Sequence, residues 1–229
     1  MKMRLRELFV KMRSRLPKPK FTRFTDLSLF EWMNQNAVGK KVLNLGSGVG
    51  NFDHYLSQDL EMLNIDIDQS MANVSVVADA HFLPFRSGCF AVVYSIAMLE
   101  HVEKPWLVAE EITRVLQSGG YVVLEVPFLN VIHDKNDYFR FTDKGIRSLF
   151  NEENYEVILE RVGSGGGSFL SVFLFAYLEQ FLHSKYLKAM WGLGAGYLMS
   201  WIKYLDILAP ISADLKKTAN SFSFVGKKR

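Results

Sequence analysis

The sequence predicts an α/β fold in which a doubly wound, mostly parallel sheet is covered by helices on both faces. Short apolar runs alternate with segments of helical periodicity along most of the chain, which is the pattern of parallel sheets buried on both faces. The first of these runs, residues 41–45, ends in a glycine-rich turn. Such a turn is typical of a strand that leads directly into a helix around a bound ligand.

The elements follow one another in a regular order. A leading helix is predicted to begin at Ser28, where Ser28 and Glu31 form a capping box, and to run toward Gly39. The predicted strands are apolar runs bounded by polar or turn-forming residues, at 41–45, 61–65, 74–78, 90–96, 121–126 and 156–162. The predicted helices between them lie at 50–57, 105–116 and 142–151.

Length and cysteine content set broad limits. A chain of 229 residues fits one domain with additions and buries a substantial core. Cys89 is the single cysteine, so an intrachain disulfide is impossible, which is compatible with a reducing compartment. No metal site is predicted, because Cys89 has no supporting cluster of ligand residues around it.

The basic residues are concentrated at the amino terminus. Residues 1–23 contain nine Lys and Arg against Glu7 alone, whereas the rest of the chain is mildly acidic. Apolar residues recur there at helical spacing, so residues 1–39 are interpreted as a basic amphipathic helix followed by the leading helix. Such a helix favours an anionic membrane surface, or alternatively packs on the body with its basic face in solvent. Nucleic acid is not the expected partner, since no recognisable nucleic-acid-binding module accompanies the basic extension.

The glycine-rich turn distinguishes between nucleotide-binding patterns. Gly46, Gly48 and Gly50 follow the first strand as GxGxG, and Asn51 occupies the position where the dinucleotide fingerprint requires a third glycine. The turn therefore disfavours a nicotinamide-dependent oxidoreductase.

Further motifs follow the turn and extend the comparison. They are Asn64-Ile65-Asp66-Ile67, Val77-Ala78-Asp79-Ala80, Leu83-Pro84-Phe85, Leu99-Glu100-His101-Val102 and residues 114–120. In this order and spacing, residues 40–162 resemble the class I S-adenosylmethionine-dependent methyltransferases of the type 11 group. The resemblance implies a Rossmann-like sheet of seven strands in which the last strand, predicted at 220–225, is antiparallel.

The resemblance also places residues 163–219 as an insertion before the last strand. This connection is much longer than an ordinary loop and contains two uncharged stretches, 169–178 and 189–202, the second with Trp191, Tyr197 and Trp201. Neither stretch reaches the roughly 20 apolar residues that span a bilayer. The insertion is interpreted as a hydrophobic lid, a dimer contact or, over residues 169–204, a membrane contact.

The resemblance implies a binding site for S-adenosylmethionine, the methyl donor. Asp66 would accept hydrogen bonds from both ribose hydroxyls, with Asp68 as the alternative, and Asp79 would accept one from the adenine amino group. Asn44 departs from the acid that many members carry, and an amide supplies no charge to the donor's ammonium group. The residues expected to contact the donor are Gly46, Ser47, Gly48, Gly50, Asp66, Ile67, Asp79, Ala80 and Ile96.

The acceptor site is predicted after the fifth strand. His133 or His101 would accept a proton from the attacking group, because histidine titrates near neutrality, although a structural role is open for each. Tyr138 and Arg140 are the candidate substrate residues. Arg140 would bind an acidic group with two hydrogen bonds, or would pair internally with Asp137.

These observations predict a methyltransferase that acts on a small, apolar or lipid-linked acceptor, located in the cytoplasm at the membrane face. The alternative is a binding or scaffold protein that keeps the fold without catalysis. The oligomeric state and the methylated element do not follow from the sequence, since this fold serves many substrates.

Overall fold

The computed structural model describes residues 27–48, 53–71, 73–208 and 214–229. Two compact units share these residues. We call residues 25–164 and 215–229 the core unit, and residues 165–214 the helical unit. The basic segment 1–23 and Gly50, both prominent in the sequence analysis, lie outside the described residues.

The core unit alternates strands and helices as predicted. Its helices are α1 (Leu27–Asn36), α2 (Pro105–Val115) and α3 (Asp143–Leu149). Its strands are β1 (Lys41–Leu45), β2 (Glu61–Asp66), β3 (Val76–Val77), β4 (Phe90–Ile96), β5 (Leu116–Pro127), β6 (Tyr155–Ser164) and β7 (Ser221–Lys228). Short 3-10 helices cover Asp53–Tyr55, Leu99–His101 and Leu215–Thr218.

The seven strands form a single sheet in the order β3-β2-β1-β4-β5-β7-β6. The ladders between β1, β2, β3, β4 and β5 are parallel, whereas β7 is antiparallel to both β5 and β6. The predicted mostly parallel sheet with an antiparallel last strand is therefore confirmed. Strand order reverses between β1 and β4, and open sheets of this type bind ligands beyond the carboxyl ends of the strands at such a point.

The sheet separates two hydrophobic clusters. Alternate residues of a strand face opposite sides, so Leu43 and Leu45 of β1 join one cluster and Val42 joins the other. The first cluster includes Val108 and Ile112 of α2, and the second is covered by α1. Burial of both faces explains why the strands are nearly continuous apolar runs in the sequence.

Some predicted boundaries differ from the structure. The strand predicted at 74–78 is only two residues long, because Asn73 just before it adopts a positive φ of 63° and β3 pairs on one side only. The predicted helix 50–57 reaches the described residues as one 3-10 turn, Asp53–Tyr55. Helix α3 begins after Thr142, whose hydroxyl accepts a hydrogen bond from the Gly145 amide at 3.0 Å and so caps the helix.

The helical unit contains α4 (Gly166–Glu179), α5 (Lys185–Ser200) and the 3-10 helix Ile202–Leu208. The Gly167 amide donates to the Asp206 carboxylate at 2.8 Å, and the Ser171 hydroxyl donates to the Met199 carbonyl at 2.8 Å. A Cβ on Gly167 would lie 2.7 Å from the Ile202 carbonyl oxygen, so this close packing requires glycine. Among the described residues, every helix is too short or too polar to cross a membrane.

Candidate functional site

A cavity of about 550 Å³ opens at the carboxyl ends of β1, β2 and β4, where the strand order reverses. Its size is that of a pocket for a small organic ligand. Six of the residues predicted to contact the donor line it: Gly46, Gly48, Asp66, Ile67, Asp79 and Ala80. The local patterns that follow three different strands therefore meet in one pocket.

The turn after β1 forms one wall of the pocket. Gly46 and Gly48 have φ values of +74° and +53°, a conformation that favours glycine. The amides of Gly46 and Ser47 both donate to the Ile65 carbonyl at 2.9 Å, which ties the turn to β2. A Cβ on Gly48 would meet nothing within 4 Å, so this position leaves open space beside the backbone.

Asp66, at the end of β2, is held rigidly at the pocket. One carboxylate oxygen accepts the Gly48 amide at 2.8 Å and the other accepts the Asp68 amide at 3.0 Å. A carboxylate oxygen can accept more than one hydrogen bond, so both oxygens of Asp66 remain able to bind a ligand hydroxyl. Asp68, the alternative to Asp66, also lines the pocket, and its carboxylate accepts the Ser70 amide at 2.8 Å.

Asp79 also lines the pocket and is paired with a histidine. Its carboxylate accepts hydrogen bonds from the His81 amide at 2.9 Å and from the His81 ring at 2.6 Å. Partial burial raises the pKa of Asp79, but these hydrogen bonds and the imidazole outweigh burial and hold the pKa below its usual range. Asp79 is therefore an ionised hydrogen-bond acceptor at neutral pH.

The loop that carries Asp79 is fastened to α2. Arg114 donates to the Leu83 and Phe85 carbonyls at 3.0 and 2.7 Å, and it binds Glu111 with two hydrogen bonds. Glu111 in turn accepts the Leu83 amide at 2.7 Å. The Leu83-Pro84-Phe85 motif and Arg114, separate in the sequence, thus form one structural contact that supports the pocket wall.

Ala97 lies directly after β4 in a strained conformation. Its φ is +52°, which is uncommon for a residue with a side chain, and its amide donates to the Glu125 carbonyl at 2.9 Å. Ala97 and Met98 both line the pocket. Strain of this kind is concentrated at functional sites, where the surrounding structure holds it in place.

Beyond Met98, three titratable side chains lie together. Glu100 is fully buried, and its Oε1 atom is 3.6 Å from His101 Nε2 and 4.0 Å from His133 Nε2. The two imidazole rings meet edge to face with centroids 4.9 Å apart. Burial raises the pKa of the Glu100 carboxyl to about 7, although the charges of His101 and Arg140 act to lower it.

The segment after β5 supports this cluster. Asp137 accepts two hydrogen bonds from Arg140, and this pairing lowers the pKa of Asp137 to about 2. Arg140 also donates to the carbonyls of Asn130, Val131 and Phe139. All the donors of its guanidinium are therefore engaged within the protein. The structure contains the internal pairing with Asp137, and a substrate role for Arg140 stays a prediction.

The other predicted residues are distributed as follows. Tyr138 lines the pocket and its hydroxyl donates to Glu103 at 3.1 Å, whereas Ile96 packs against the hydrophobic cluster beneath α1. The Ser47 hydroxyl is buried and has no hydrogen-bond partner among the described residues. Asn44 donates from its side chain to Asn64 across the β1–β2 ladder at 3.1 Å. His101 lines the pocket, whereas His133 is not among the lining residues and lies beside Glu100.

Two residues that shape the site, Glu100 and His81, are not among those predicted to bind the donor or the acceptor. Glu100 lies in the 3-10 helix Leu99–His101, four residues after β4. Its place between Leu99 and His101 in the Leu99-Glu100-His101-Val102 motif is the signal that the sequence offers for it. Ala97 is expected to border the donor because it follows the fourth strand, and it does line the pocket. Nothing in the sequence marks the positive φ of Ala97.

Residues 43–124 match the family model for a methyltransferase domain. Over 107 residues the chain is 33% identical to the sarcosine/dimethylglycine N-methyltransferase of Aphanothece halophytica, a match that covers 39% of each chain. The chain spans no more than about two fifths of the length of the curated relatives it matches.

Solved structures share the fold at lower identity. The [4+2]-cyclase SpnF is 14% identical with a TM-score of 0.57, and the match covers 88% of this chain and 80% of that one. The methyltransferase-like partner in a complex with the Haloferax volcanii Trm112 methyltransferase activator is 17% identical, also with a TM-score of 0.57, and the match covers 96% and 93% of the two chains. These likenesses show a common fold.

The pocket fits the methyl donor of this family. Asp66 presents two immobilised oxygens, as two adjacent ribose hydroxyls require, and the open space at Gly48 admits a ligand against the backbone. The matched residues 43–124 carry the glycine turn, Asp66 and Asp79. Residues 43–124 are therefore similar to the methyltransferase domains of this family, whose methyl donor is S-adenosylmethionine.

Proposed function

We propose that this protein transfers a methyl group from S-adenosylmethionine to a small, apolar or lipid-linked acceptor at a membrane surface. The observation that carries the proposal is the position of Asp66 at the pocket, where the Gly48 and Asp68 amides each donate a hydrogen bond to its carboxylate. When bound, S-adenosylmethionine supplies an electrophilic methyl group on a sulfonium. Much of the barrier to such a transfer is removed by holding the reactants in line with water excluded.

We assign residues of the core unit to the different parts of the donor. Asp66 accepts from the ribose, with Ile67 and the glycine turn Gly46–Gly48 beside it, and Asp79 with Ala80 contacts the adenine. Ser47 belongs to the same turn, and Gly50, which lies outside the described residues, is assigned to the donor from the sequence. Ile96 is assigned to the border of the donor site and packs against the second hydrophobic cluster. Gly46, Gly48, Asp66, Ile67, Asp79 and Ala80 line the pocket, which supports their assignments.

On the acceptor side, the pocket continues from Ala97 to His101 and Tyr138. We assign the acceptor to this end, with His101 and His133 acting on it and Tyr138 bordering it. The side chain of His133 is 38% exposed, and it lies within reach of Glu100. An acceptor that enters here approaches the donor site from the segment between β5 and α3.

The helical unit supports the membrane part of the proposal. Phe169, Phe173 and Tyr177 lie along one face of α4, and Phe181 follows just after the helix. Successive ring centroids in this row are 5.4 to 5.7 Å apart. Phe181 is 61% exposed, and Tyr186 and Trp201 are also exposed. Exposed aromatic residues of this kind suit the interface between lipid and water. The basic residues of the 1–23 segment would add attraction to anionic lipids.

Sedimentation with vesicles tests the membrane part. Wild-type protein should bind vesicles of phosphatidylcholine with anionic phosphatidylglycerol, and added salt should weaken binding because it screens the charges. Phe181→Glu should reduce binding, whereas Val38→Glu, an equally drastic change at an exposed site of the core unit, should not. Equal binding by wild type and Phe181→Glu would refute a membrane role for this row of aromatic residues.

Formation of S-adenosylhomocysteine tests catalysis. With extracted lipids and small apolar alcohols, phenols and amines as acceptors, product should form with wild-type protein and fall to background with Asp66→Ala. The competing function is a binding or scaffold protein, favoured by the fold shared with a [4+2]-cyclase and by the uncharged Asn44. Tight donor binding without turnover on any acceptor would establish that alternative.

A further inference from the structure

Glu100, His101 and His133 form a compact group of potential metal ligands in the core unit. One ligand atom from each of the three lies within 4.8 Å of the others. The Glu100 Oε1 atom is 3.6 Å from His101 Nε2 and 4.0 Å from His133 Nε2. Ligand atoms around one tetrahedral zinc lie about 3.3 Å from one another, so the side chains would have to approach further to share one cation.

Both imidazoles are oriented as metal ligands are. His101 Nδ1 is 2.5 Å from the Asn136 carbonyl oxygen, so Nδ1 carries the proton and Nε2 presents its lone pair toward Glu100. His133 Nδ1 is 3.2 Å from Asp137 Oδ2, and the two hydrogen bonds from Arg140 fix that carboxylate. A hydrogen bond from the second ring nitrogen to a carbonyl or carboxylate is the usual support of a metal-bound histidine.

Glu100 provides an independent observation. The side chain is fully buried, and no hydrogen bond from another described residue reaches either carboxylate oxygen. A buried carboxylate whose only donor is its own backbone amide is costly unless a cation satisfies it. One nitrogen of each imidazole lies within 4.0 Å of the same carboxylate oxygen, so the three groups converge on one small volume.

We propose that Glu100, His101 and His133 bind a divalent transition-metal cation, and that the cation holds an oxygen atom of the methyl acceptor. Two imidazoles and one carboxylate suit zinc, manganese or iron better than magnesium. Three protein ligands leave further coordination positions open, as in catalytic metal sites. His101 lines the pocket, so an open position lies on the side from which an acceptor enters.

This inference rests on the proposed function for the identity of the acceptor, as an alcohol, phenol or enol. A cation lowers the pKa of a hydroxyl that it coordinates, so the hydroxyl releases its proton to water. The oxygen lone pair then forms the bond to the methyl carbon as the carbon–sulfur bond breaks, and that electron pair stays on sulfur to give the neutral thioether.

Metal binding is measured first, without any acceptor. Full-length protein is stripped with a chelator and titrated with Zn²⁺ by calorimetry and with Co²⁺ by visible absorption. Wild type should bind about one equivalent of each. Glu100→Gln and His133→Ala should weaken binding by about tenfold to a hundredfold, the range typical of losses at metal sites. His54→Asn, which removes an exposed histidine away from the pocket, should bind like wild type.

The outcomes separate the two proposals. Because neither Glu100 nor His133 lines the pocket, metal-free protein and both variants should bind S-adenosylmethionine normally, which also shows that the variants fold. Normal donor binding without a stoichiometric metal, or equal metal binding by wild type and Glu100→Gln, would overturn the metal site and leave the proposed function standing. Methylation of oxygen acceptors at the same rate in chelator-treated and metal-loaded protein would overturn the acceptor role.

Discussion

At the scale of single residues, the two glycines of the turn after β1 have different reasons to be glycine. Both have a positive φ, which costs a residue with a side chain about 1–2 kcal/mol. A Cβ on Gly46 would also lie 2.8 Å from the Met98 Cβ, whereas a Cβ on Gly48 would meet nothing within 4 Å. A side chain at position 46 would therefore clash with Met98, whereas a side chain at position 48 would occupy the space that is open to a ligand.

This difference predicts that two matched substitutions affect different properties of the protein, its stability and its affinity for the donor. Gly46→Ala should destabilise the protein by a further ~1–3 kcal/mol beyond Gly48→Ala, because it adds overpacking to backbone strain. Gly48→Ala should chiefly lower affinity for S-adenosylmethionine. Urea denaturation and calorimetric titration of both variants measure the two effects. Equal stabilities would show that Met98 moves aside at no cost.

Tyr155 predicts how stability depends on alkaline pH. Burial raises the pKa of Tyr155 to about 12, although a hydrogen bond with Thr113 at 2.8 Å acts to lower it. In the unfolded chain its pKa is about 10. The protonated form is thus favoured in the fold, so this contribution is complete below pH 10 and is lost between pH 10 and 12.

The corresponding loss amounts to about 2–3 kcal/mol. Tyr155→Phe lacks the titrating hydroxyl, so its stability should fall less steeply over the same range. Denaturation of wild type and Tyr155→Phe at several alkaline pH values isolates this difference from the titration of lysines. Parallel curves for the two proteins would contradict the assignment.

At the scale of elements, the contact between α2 and the loop after β3 predicts a remote effect on donor binding. Arg114 holds the Leu83 and Phe85 carbonyls and Glu111 together with its planar fork of donors. Lysine keeps the charge but cannot make these contacts at once. Arg114→Lys should therefore loosen the loop that carries Asp79 and lower donor affinity several-fold, with the helix content unchanged by circular dichroism.

An exposed basic residue offers the control for this substitution. Arg86→Lys lies on the same loop but outside the Arg114 contact, so its donor affinity should equal that of wild type. The same loss in both variants would mean that the loop responds to any change of arginine.

The elements also show which features the sequence could predict. Strands β1 and β4 match their predicted bounds because each is a continuous apolar run buried on both faces. Strand β3 is shorter than predicted because the positive φ of Asn73 is a tertiary feature that has no periodic signal. Asp66 and Asp79 were predictable because Asp66 is the last residue of β2 and Asp79 lies two residues after β3. The group of Glu100, His101 and His133 was not, because residues 32 positions apart meet only through the path of the chain after β5.

At the scale of the whole molecule, the division into two units predicts separable functions. Both hydrophobic clusters consist of core-unit residues, and Ser164 pairs with Ser221 across β6 and β7. The two ends of the 165–214 segment therefore return to neighbouring strands. A chain in which a short glycine-serine loop replaces residues 165–214 should fold and bind S-adenosylmethionine, but should sediment more weakly with anionic vesicles, since only the basic segment 1–23 remains to attract it. Vesicle binding equal to that of wild type would contradict the role given to the helical unit.

The central claim is that the pocket at the carboxyl ends of β1, β2 and β4 binds S-adenosylmethionine through Asp66. Calorimetric titration of wild type, Asp66→Ala and Glu61→Ala with S-adenosylmethionine and with NADH tests it most directly. Glu61 is the control because it lies at the opposite end of β2. We predict saturable binding of S-adenosylmethionine alone, unchanged in Glu61→Ala and weakened by about tenfold or more in Asp66→Ala, since a hydrogen bond to a charged group contributes about 1.5–3 kcal/mol. Equal affinity in all three proteins, or binding of NADH instead, would contradict it.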